Sequence, residues 1–383
     1  MAKKIFVIMI LTFTFGLAYC YFNNNDRLAI INTEISKNTI VTPVLDAKIE
    51  LDKNLIYCST TQIAWNKLCN DILKGTLEIE NGPWYVSKLN ELINELPQIS
   101  EDSYVALAGF GKENIVEKIK DALLQKFNVL PIIDFPDVGS NELLSFSYMQ
   151  KSLDFETIFH PLKSYISLGT EEIKIKSFGF EYNSVSHDSP LKKQVEMLYF
   201  DWSFGGGQSA FIIELKTTSS IDEILISDVK PETTLIKTYN KIQELIQQYK
   251  YDCENFGVNK GMEYHSHGYQ KKFMSLSIPK IKFNIIHVYK DLANKRFKNP
   301  NFSDNYIKQA VQNIQFSLNE KGARIKALAS IGTKMGDPPR LEIHGPFVII
   351  IKNRNSKTPY FMAYIGNDEL LEKQNGIMDY FNF

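Results

Sequence analysis

Residues 310–327 read AVQNIQFSLNEKGARIKA, and residues 336–367 read GDPPRLEIHGPFVIIIKNRNSKTPYFMAYIGN. The first stretch predicts a strand over Ile314–Asn319 that stops at Glu320-Lys321-Gly322, followed by an alternation of small, basic and apolar residues. The second predicts strands over Leu341–Lys352 and Thr358–Gly366, joined by a polar turn. Their β-branched and aromatic runs suit a pleated, buried surface. What lies between them is a long segment bounded by a glycine and by Pro338-Pro339.

The rest of the chain bounds the reading. It has 383 residues, 44% hydrophobic and 23% charged, an ordinary globular composition that excludes wholesale disorder. The formal net charge of −1, from 43 basic and 44 acidic residues of mixed placement, gives no support for a nucleic-acid or anionic-membrane partner. Four cysteines are too few for a disulfide framework at this length.

Lys3 and Lys4 precede an uncharged run, Ile5 to Leu17, and Gly16 and Ala18 occupy the small-residue positions of a cleavage site. This is the pattern of a secretory signal peptide over residues 1–18, with a mature chain from about Tyr19. The run is too short to span a bilayer comfortably. Competing readings are a lipoprotein signal with Cys20 lipidated, for which Tyr19 is too large, and an uncleaved anchor. Cys58 and Cys69 are placed about 16 Å apart along one helix, too far to bond. Cys253 could pair with one of them, against the plainer expectation of buried free thiols.

Hydrophobic periodicity predicts helices over Ser59–Leu73, Trp84–Leu96, Lys112–Phe127 and about Pro231–Lys250. It predicts a short strand over Tyr104–Ala108 and a buried strand over Val129–Phe135. Further strands are expected at Glu172–Phe180, Lys193–Asp201, Ser209–Lys216, Ile221–Leu225 and Phe273–Asn284. Helices dominate the first part and strands the second. The expectation is an α+β fold in one unit, residues 19–383, with no internal repeat or linker.

The C-terminal third resembles the serpins, the loop-bearing inhibitors of serine proteases. The resemblance rests on the strand running into Glu320-Lys321-Gly322, on Pro346 and Phe347, and on Pro359, Phe361 and Met362. Looser matches are NLIYCSTT from Asn54, resembling the entry to the family's buried central helix, the stretch Ala106–Phe135, and IPKIKF from Ile278. The resemblance covers most of residues 54–367. It implies a multi-sheet domain with a bundle of helices and an exposed reactive-centre loop. Two departures fall where the family's main sheet opens: FSYMQKSLDFETIF over 146–159 has Phe155 where a tryptophan is usual, and Gln312 replaces a common histidine. Residues 21–50 make a poor first helix.

The resemblance implies a trap. The protease cuts the loop, which then enters the main sheet as a new strand. With Ala323 inward, Ala323, Ile325, Ala327, Ala329, Ile331 and Thr333 face the buried side, and no charge is buried there. Ile325 and Leu328 are larger than inhibitory loops favour, and an inward Ile325 could slow entry by overpacking. The scissile bond falls at Met335-Gly336 or at Lys334-Met335. The first suits elastase-, chymotrypsin- or subtilisin-like proteases, the second a trypsin-like one. A plain exposed loop on a non-inhibitory serpin is the alternative.

Other constellations are weaker. Glu263, His265 and His267 would share one face of a strand and could ligate zinc, but no third histidine or cysteine lies near and the segment reads as a polar turn. His187-Asp188 lacks a nucleophile elbow. Gly109-Phe110-Gly111 is half a dinucleotide fingerprint, and Gly205-Gly206-Gly207 reads as a hairpin turn. Asn301-Phe302-Ser303 is a glycosylation sequon. The expectation is a secreted or exported, monomeric protease inhibitor with no catalysis, metal or cofactor of its own and no integral membrane span. A serpin-fold binding or structural protein is the second hypothesis, and a metal-assisted hydrolase using His265 and His267 the third.

Overall fold

The computed structural model describes residues 30–32, 38–93, 95, 98–168, 171–182, 184–186, 189–201, 210–256, 273–322 and 340–374. Along the chain the strands are β1 (Ile30–Asn32), β2 (Thr39–Thr42), β3 (Asn54–Cys58), β4 (Tyr104–Phe110), β5 (Glu142–Gln150), β6 (His160–Leu168), β7 (Glu171–Phe180) and β8 (Val195–Phe200). They continue as β9 (Phe211–Leu215), β10 (Asp222–Ser227), β11 (Ser275–Pro279), β12 (Ile281–Val288), β13 (Tyr306–Leu318), β14 (Arg340–Glu342), β15 (Phe347–Asn353) and β16 (Phe361–Ile365). The α-helices are α1 (Thr60–Lys67), α2 (Tyr85–Glu91), α3 (Ile115–Phe127), α4 (Pro190–Lys193) and α5 (Leu235–Phe256). A π-helical turn, Leu68–Leu73, extends α1 and ends at Lys74 in the left-handed region.

Three sheets result. Sheet A runs β1-β12-β13-β5-β4, sheet B runs β2-β3-β16-β15-β10-β9-β8, and sheet C runs β14-β11-β7-β6. The expected α+β, multi-sheet class is therefore the one observed. Sheet B is buried on both faces. Ile56, Ile213, Ile226, Ile349 and Phe361 face the main core between the sheets, while Leu55, Ile212, Leu225, Ile350 and Met362 face α5. That double burial is why its strands read as continuous apolar runs. Helix α5 answers with Leu235, Tyr239, Ile242 and Tyr249, a helical stripe of buried residues. Helix α3 covers the outer face of sheet A through Ile115, Ile119 and Leu123, one turn apart, and ends at Asn128 in the left-handed conformation.

Several expectations are corrected. Val129–Phe135 is neither strand nor buried: it crosses the outer face of sheet A unpaired, with Leu130 64% and Ile132 49% exposed. Pro131 lacks the amide proton a ladder would need. Phe273–Asn284 is two strands in two sheets, because Pro279 ends β11 in sheet C and Lys280 carries the chain into β12 of sheet A. Leu341–Lys352 likewise divides at Gly345-Pro346 into the end of β14 and most of β15. Cys58 lies in β3, not on the helix that carries toward Cys69. Both thiols are buried and free, and burial pushes each up to about 11. Cys253 is free and half-buried on α5. The helix expected over Trp84–Leu96 is confined to α2.

Residues 1–18, Cys20, His187, Asp188, Gly205–Gly207, Glu263, His265 and His267 lie outside the described residues. Among the described residues no cluster of metal-ligating side chains occurs, and no helix is long and apolar enough to cross a membrane.

Candidate functional site

The middle of sheet A is a parallel pair flanked on each side by an antiparallel one, in a mixed sheet whose edge pair β1–β12 is also parallel. β13 is antiparallel to β12 and parallel to β5, and β5 is antiparallel to β4. The β13–β5 register runs from Tyr306↔Glu142 to Gln315↔Gln150, with an irregularity between Ile307 and Gln309. β5 stops at Gln150 while β13 continues, so Phe316, Ser317 and Leu318 pair with β12 alone. The seam between β5 and β13 is thus already parted at the end where β13 runs out.

At that end lies Glu320-Lys321-Gly322, the hinge expected from the sequence. Glu320 forms an ion pair with Lys280, and both side chains are close to nine-tenths buried. The segment after β5 crosses over the hinge. The Phe155 amide donates to the Lys321 carbonyl at 3.3 Å and the Phe159 amide to the Glu320 carbonyl at 2.8 Å. Asn319 Oδ1 accepts from the Lys321 amide at 3.0 Å, closing a local turn. Gly322 has φ of +47°, and a Cβ there would lie 2.4 Å from Asp154 Cα and 2.5 Å from the Phe155 nitrogen. Only glycine passes this point without moving backbone. Phe155 is buried edge-on to Phe159 at 5.0 Å between centroids and near Phe178 at 5.9 Å, so three phenylalanines form one cluster beside the turn.

Beneath the seam sits the start of α1. Gln312 of β13 and Ser147 of β5 are direct partners across it. Gln312 Nε2 donates to the Cys58 carbonyl and to Thr60 Oγ1, both at 3.0 Å, and its Oε1 accepts from the Tyr289 hydroxyl at 2.8 Å. The adjacent Thr61 hydroxyl lies 3.5 Å from Ser147 Oγ and from the Tyr289 hydroxyl. Two consecutive threonines therefore reach one strand each. Gln312 is fully buried, and burial raises the Tyr289 phenol well above its ordinary value. A glutamine supplies a donor and an acceptor without a titratable proton, which a histidine here would bring.

The same end of β5, just past Gln150, is tied to sheet B. Lys151 Nζ lies 3.0 Å from Asp222 Oδ2, and Asp222 accepts from the Tyr360 hydroxyl at 2.9 Å and from Ser219 Oγ at 2.7 Å. The buried aspartate keeps all its partners, so its charge is compensated. Sequence reading missed Lys151, Asp222, Thr60, Thr61 and Tyr289 as parts of the site. The only signal was the pair of consecutive threonines in the NLIYCSTT stretch.

Of the expected site residues, Glu320, Lys321 and Gly322 are brought to the seam. Ala323, Ile325, Ala327, Ala329, Lys334, Met335 and Gly336 lie outside the described residues. Asn301 of the sequon is exposed on a 3-10 turn just before the start of β13, at the opposite end of that strand from Glu320–Gly322.

No family model matches the chain, and no curated protein matches it. Many solved structures are similar, among them three that are each 12% identical to this chain. Mouse protein-Z dependent protease inhibitor aligns with a TM-score of 0.46 over 82% of this chain and 91% of that one. Uncleaved ovalbumin has a TM-score of 0.44 over 82% and 94%, and human thyroxine-binding globulin 0.44 over 82% and 92%.

Proposed function

We propose that this protein is a serpin-like inhibitor of a serine or cysteine protease, working by cleavage of the segment after Gly322 and entry of that segment between β5 and β13. The observation that carries this reading is the parallel seam leading directly into the hinge. A chain that turns back after Gly322 runs antiparallel to both β13 and β5. Entry would exchange one parallel ladder for two antiparallel ones, each slightly more favourable per residue. The thirteen residues Ala323–Met335 match the thirteen of β13, so a segment cut after Met335 is long enough to fill the seam. The stretch Phe316–Leu318, paired with β12 on one edge and with no strand partner on the β5 side, offers the first hydrogen bonds without any strand being displaced.

In this reading the protein turns over no substrate, and the catalytic serine or cysteine belongs to the target. The scissile bond is Met335-Gly336 or Lys334-Met335. The chain is exported after removal of residues 1–18 and works as a monomer. A second reading, a non-inserting binding protein on the same scaffold, is favoured by the grip on the hinge: an ion pair, two backbone bonds and a glycine pressed against Asp154.

The test is to mix the chain from Tyr19 with trypsin, elastase and subtilisin in turn, run denaturing gels, and read the cleavage site by mass spectrometry. A band at the summed mass is expected with at least one protease, and it selects between Lys334 and Met335. Ala327→Arg should abolish that band, because the new charge would be buried on entry. Clean cleavage without any complex, or full inhibition by Ala327→Arg, overturns the insertion reading.

A further inference from the structure

The outer face of the same seam carries a cavity of about 750 Å³, roofed by the end of α3 and the unpaired 128–133 stretch. This volume lies in the range of small-molecule sites. Its walls are apolar: Leu123, Leu130 and Ile132 above, Phe146, Tyr148 and Ile286 below. None of its lining residues is charged. Its polar lining is a group of amides on the neighbouring strands β12 and β13, Asn284, Asn313 and Gln315, with the exposed Asn128 at the end of α3 on the other side.

Asn313 is the informative residue. It is 6% exposed, and its Nδ2 donates to Asn284 Oδ1 at 2.9 Å and to the Ile285 carbonyl at 3.2 Å. A backbone carbonyl can only accept, so it fixes which end of the amide is nitrogen. The other end, Oδ1, is buried with no hydrogen-bond partner among the described residues. A buried acceptor without a donor is costly and rare in native structures. Here it stands among the residues that line an apolar cavity.

We propose that this cavity binds a neutral amphipathic small molecule, with a ring or branched apolar body under the 128–133 stretch and a hydroxyl or amide N–H donating to Asn313. An anion is disfavoured because no cation lines the site, and a cation because no carboxylate does. Resting on the insertion reading, the same site gains a regulatory role. Tyr148 and Asn313 are register partners across the seam, and both line the cavity. A strand entering between them would move them one further interstrand spacing, about 4.8 Å, apart. A ligand spanning them favours the closed sheet, and by linkage opposes loop entry.

The probe is 1-hydroxypyrene, with pyrene as the analogue lacking a donor, titrated by fluorescence into intact protein without protease. Saturable one-to-one binding is expected, about tenfold tighter for 1-hydroxypyrene than for pyrene. Asn313→Leu should erase that preference. Ile132→Glu, at a half-exposed rim position that folding tolerates, should weaken both probes at least tenfold. Absence of saturable binding to wild type, a hydroxyl preference that survives Asn313→Leu, or indifference to Ile132→Glu each overturns the site. Saturating 1-hydroxypyrene should also lower the yield of covalent protease complex. Unchanged yield with the site occupied overturns the coupling. Absence of any complex without the probe, while binding holds, counts against the insertion reading and leaves the pocket standing.

Discussion

Replacing Gly322 by alanine is the sharpest probe of the hinge. The residue sits at φ +47°, which costs a non-glycine residue about 1–2 kcal/mol. The added Cβ also meets backbone on three atoms, Asp154 Cα at 2.4 Å, the Phe155 nitrogen at 2.5 Å and the Leu153 carbonyl at 2.7 Å. None of these is the end of a flexible side chain, so the 153–155 segment must move and the bond from Phe155 to Lys321 is strained. Together the two effects should cost the intact protein about 3 kcal/mol. With an unfolding entropy of about 2.1 cal/mol/K per residue, that lowers the thermal midpoint by about 4 °C. The loop-cleaved protein should behave oppositely. On the insertion reading Gly322 then joins a strand, where glycine is worse than alanine by about 0.5–1 kcal/mol, so its midpoint should hold or rise. The assay is calorimetry of intact and cleaved Gly322→Ala beside wild type, with Gly322→Asn as a companion. Asparagine tolerates positive φ but brings the same Cβ, so it should be nearly as damaging. An intact Gly322→Ala within 1 °C of wild type would refute the claim that close packing pins the hinge.

Three further outcomes are expected. Glu320→Gln leaves Lys280 half-paired in a nearly buried site and should destabilise the intact fold by about 1–3 kcal/mol, while the double variant Lys280→Met, Glu320→Leu recovers most of the loss in denaturant titrations. Gln312→His would put a buried imidazole in the network beneath the seam, with its folded pKa held below the unfolded value near 6.5. A base depressed in this way destabilises as pH falls, so its thermal midpoint should drop between pH 7 and pH 5 relative to wild type. Burial pushes the Asp228 carboxyl up to about 6, against the hydrogen bond from the Phe211 amide. A carboxyl raised on folding costs stability as pH climbs from about 4 through 6. Asp228→Asn should therefore gain about 1–3 kcal/mol at pH 7 and little at pH 4, by chemical denaturation at the two pH values.

How much of this was legible in the chain follows from burial. β15 and β16 are buried on both faces, so FVIII and FMAYI announce themselves by composition alone. β5 went unread because its inner positions, Ser145 and Ser147, are small and polar where α1 lies against them, which removes the apolar alternation that marks a strand. Val129–Phe135 misled in the other direction. Its apolar residues roof a cavity instead of filling a ladder, and period counting cannot tell the two apart. Glu320-Lys321-Gly322 could be singled out as a candidate hinge because its glycine and its two charges are adjacent in sequence. Its partners could not, since Lys280, Phe155 and Asp154 are far from Glu320 in sequence and meet it only through the topology of sheet A. Gln312 stood out as a departure from the family pattern, yet its meaning needed Tyr289, Cys58 and Thr60 beside it.

The ionic post at Lys151 has a dynamic consequence. β13 is backed by β12 along eight residue pairs, whereas β5 is backed by β4 and fixed at its end, through Lys151, to Asp222 of sheet B, which also accepts from the Tyr360 hydroxyl. The two sides of the seam are unequal in mass and in anchorage. If the sheet opens, the side bearing β4, β5 and α3 swings about that post while the β12–β13 side stays with the body of the protein. Amide hydrogen exchange would then divide sheet A along a single line, protection falling on the β4–β5 side as one cooperative unit and persisting in β12 and β13. A lysine at the end of a strand would act, on that view, as the pivot of a door.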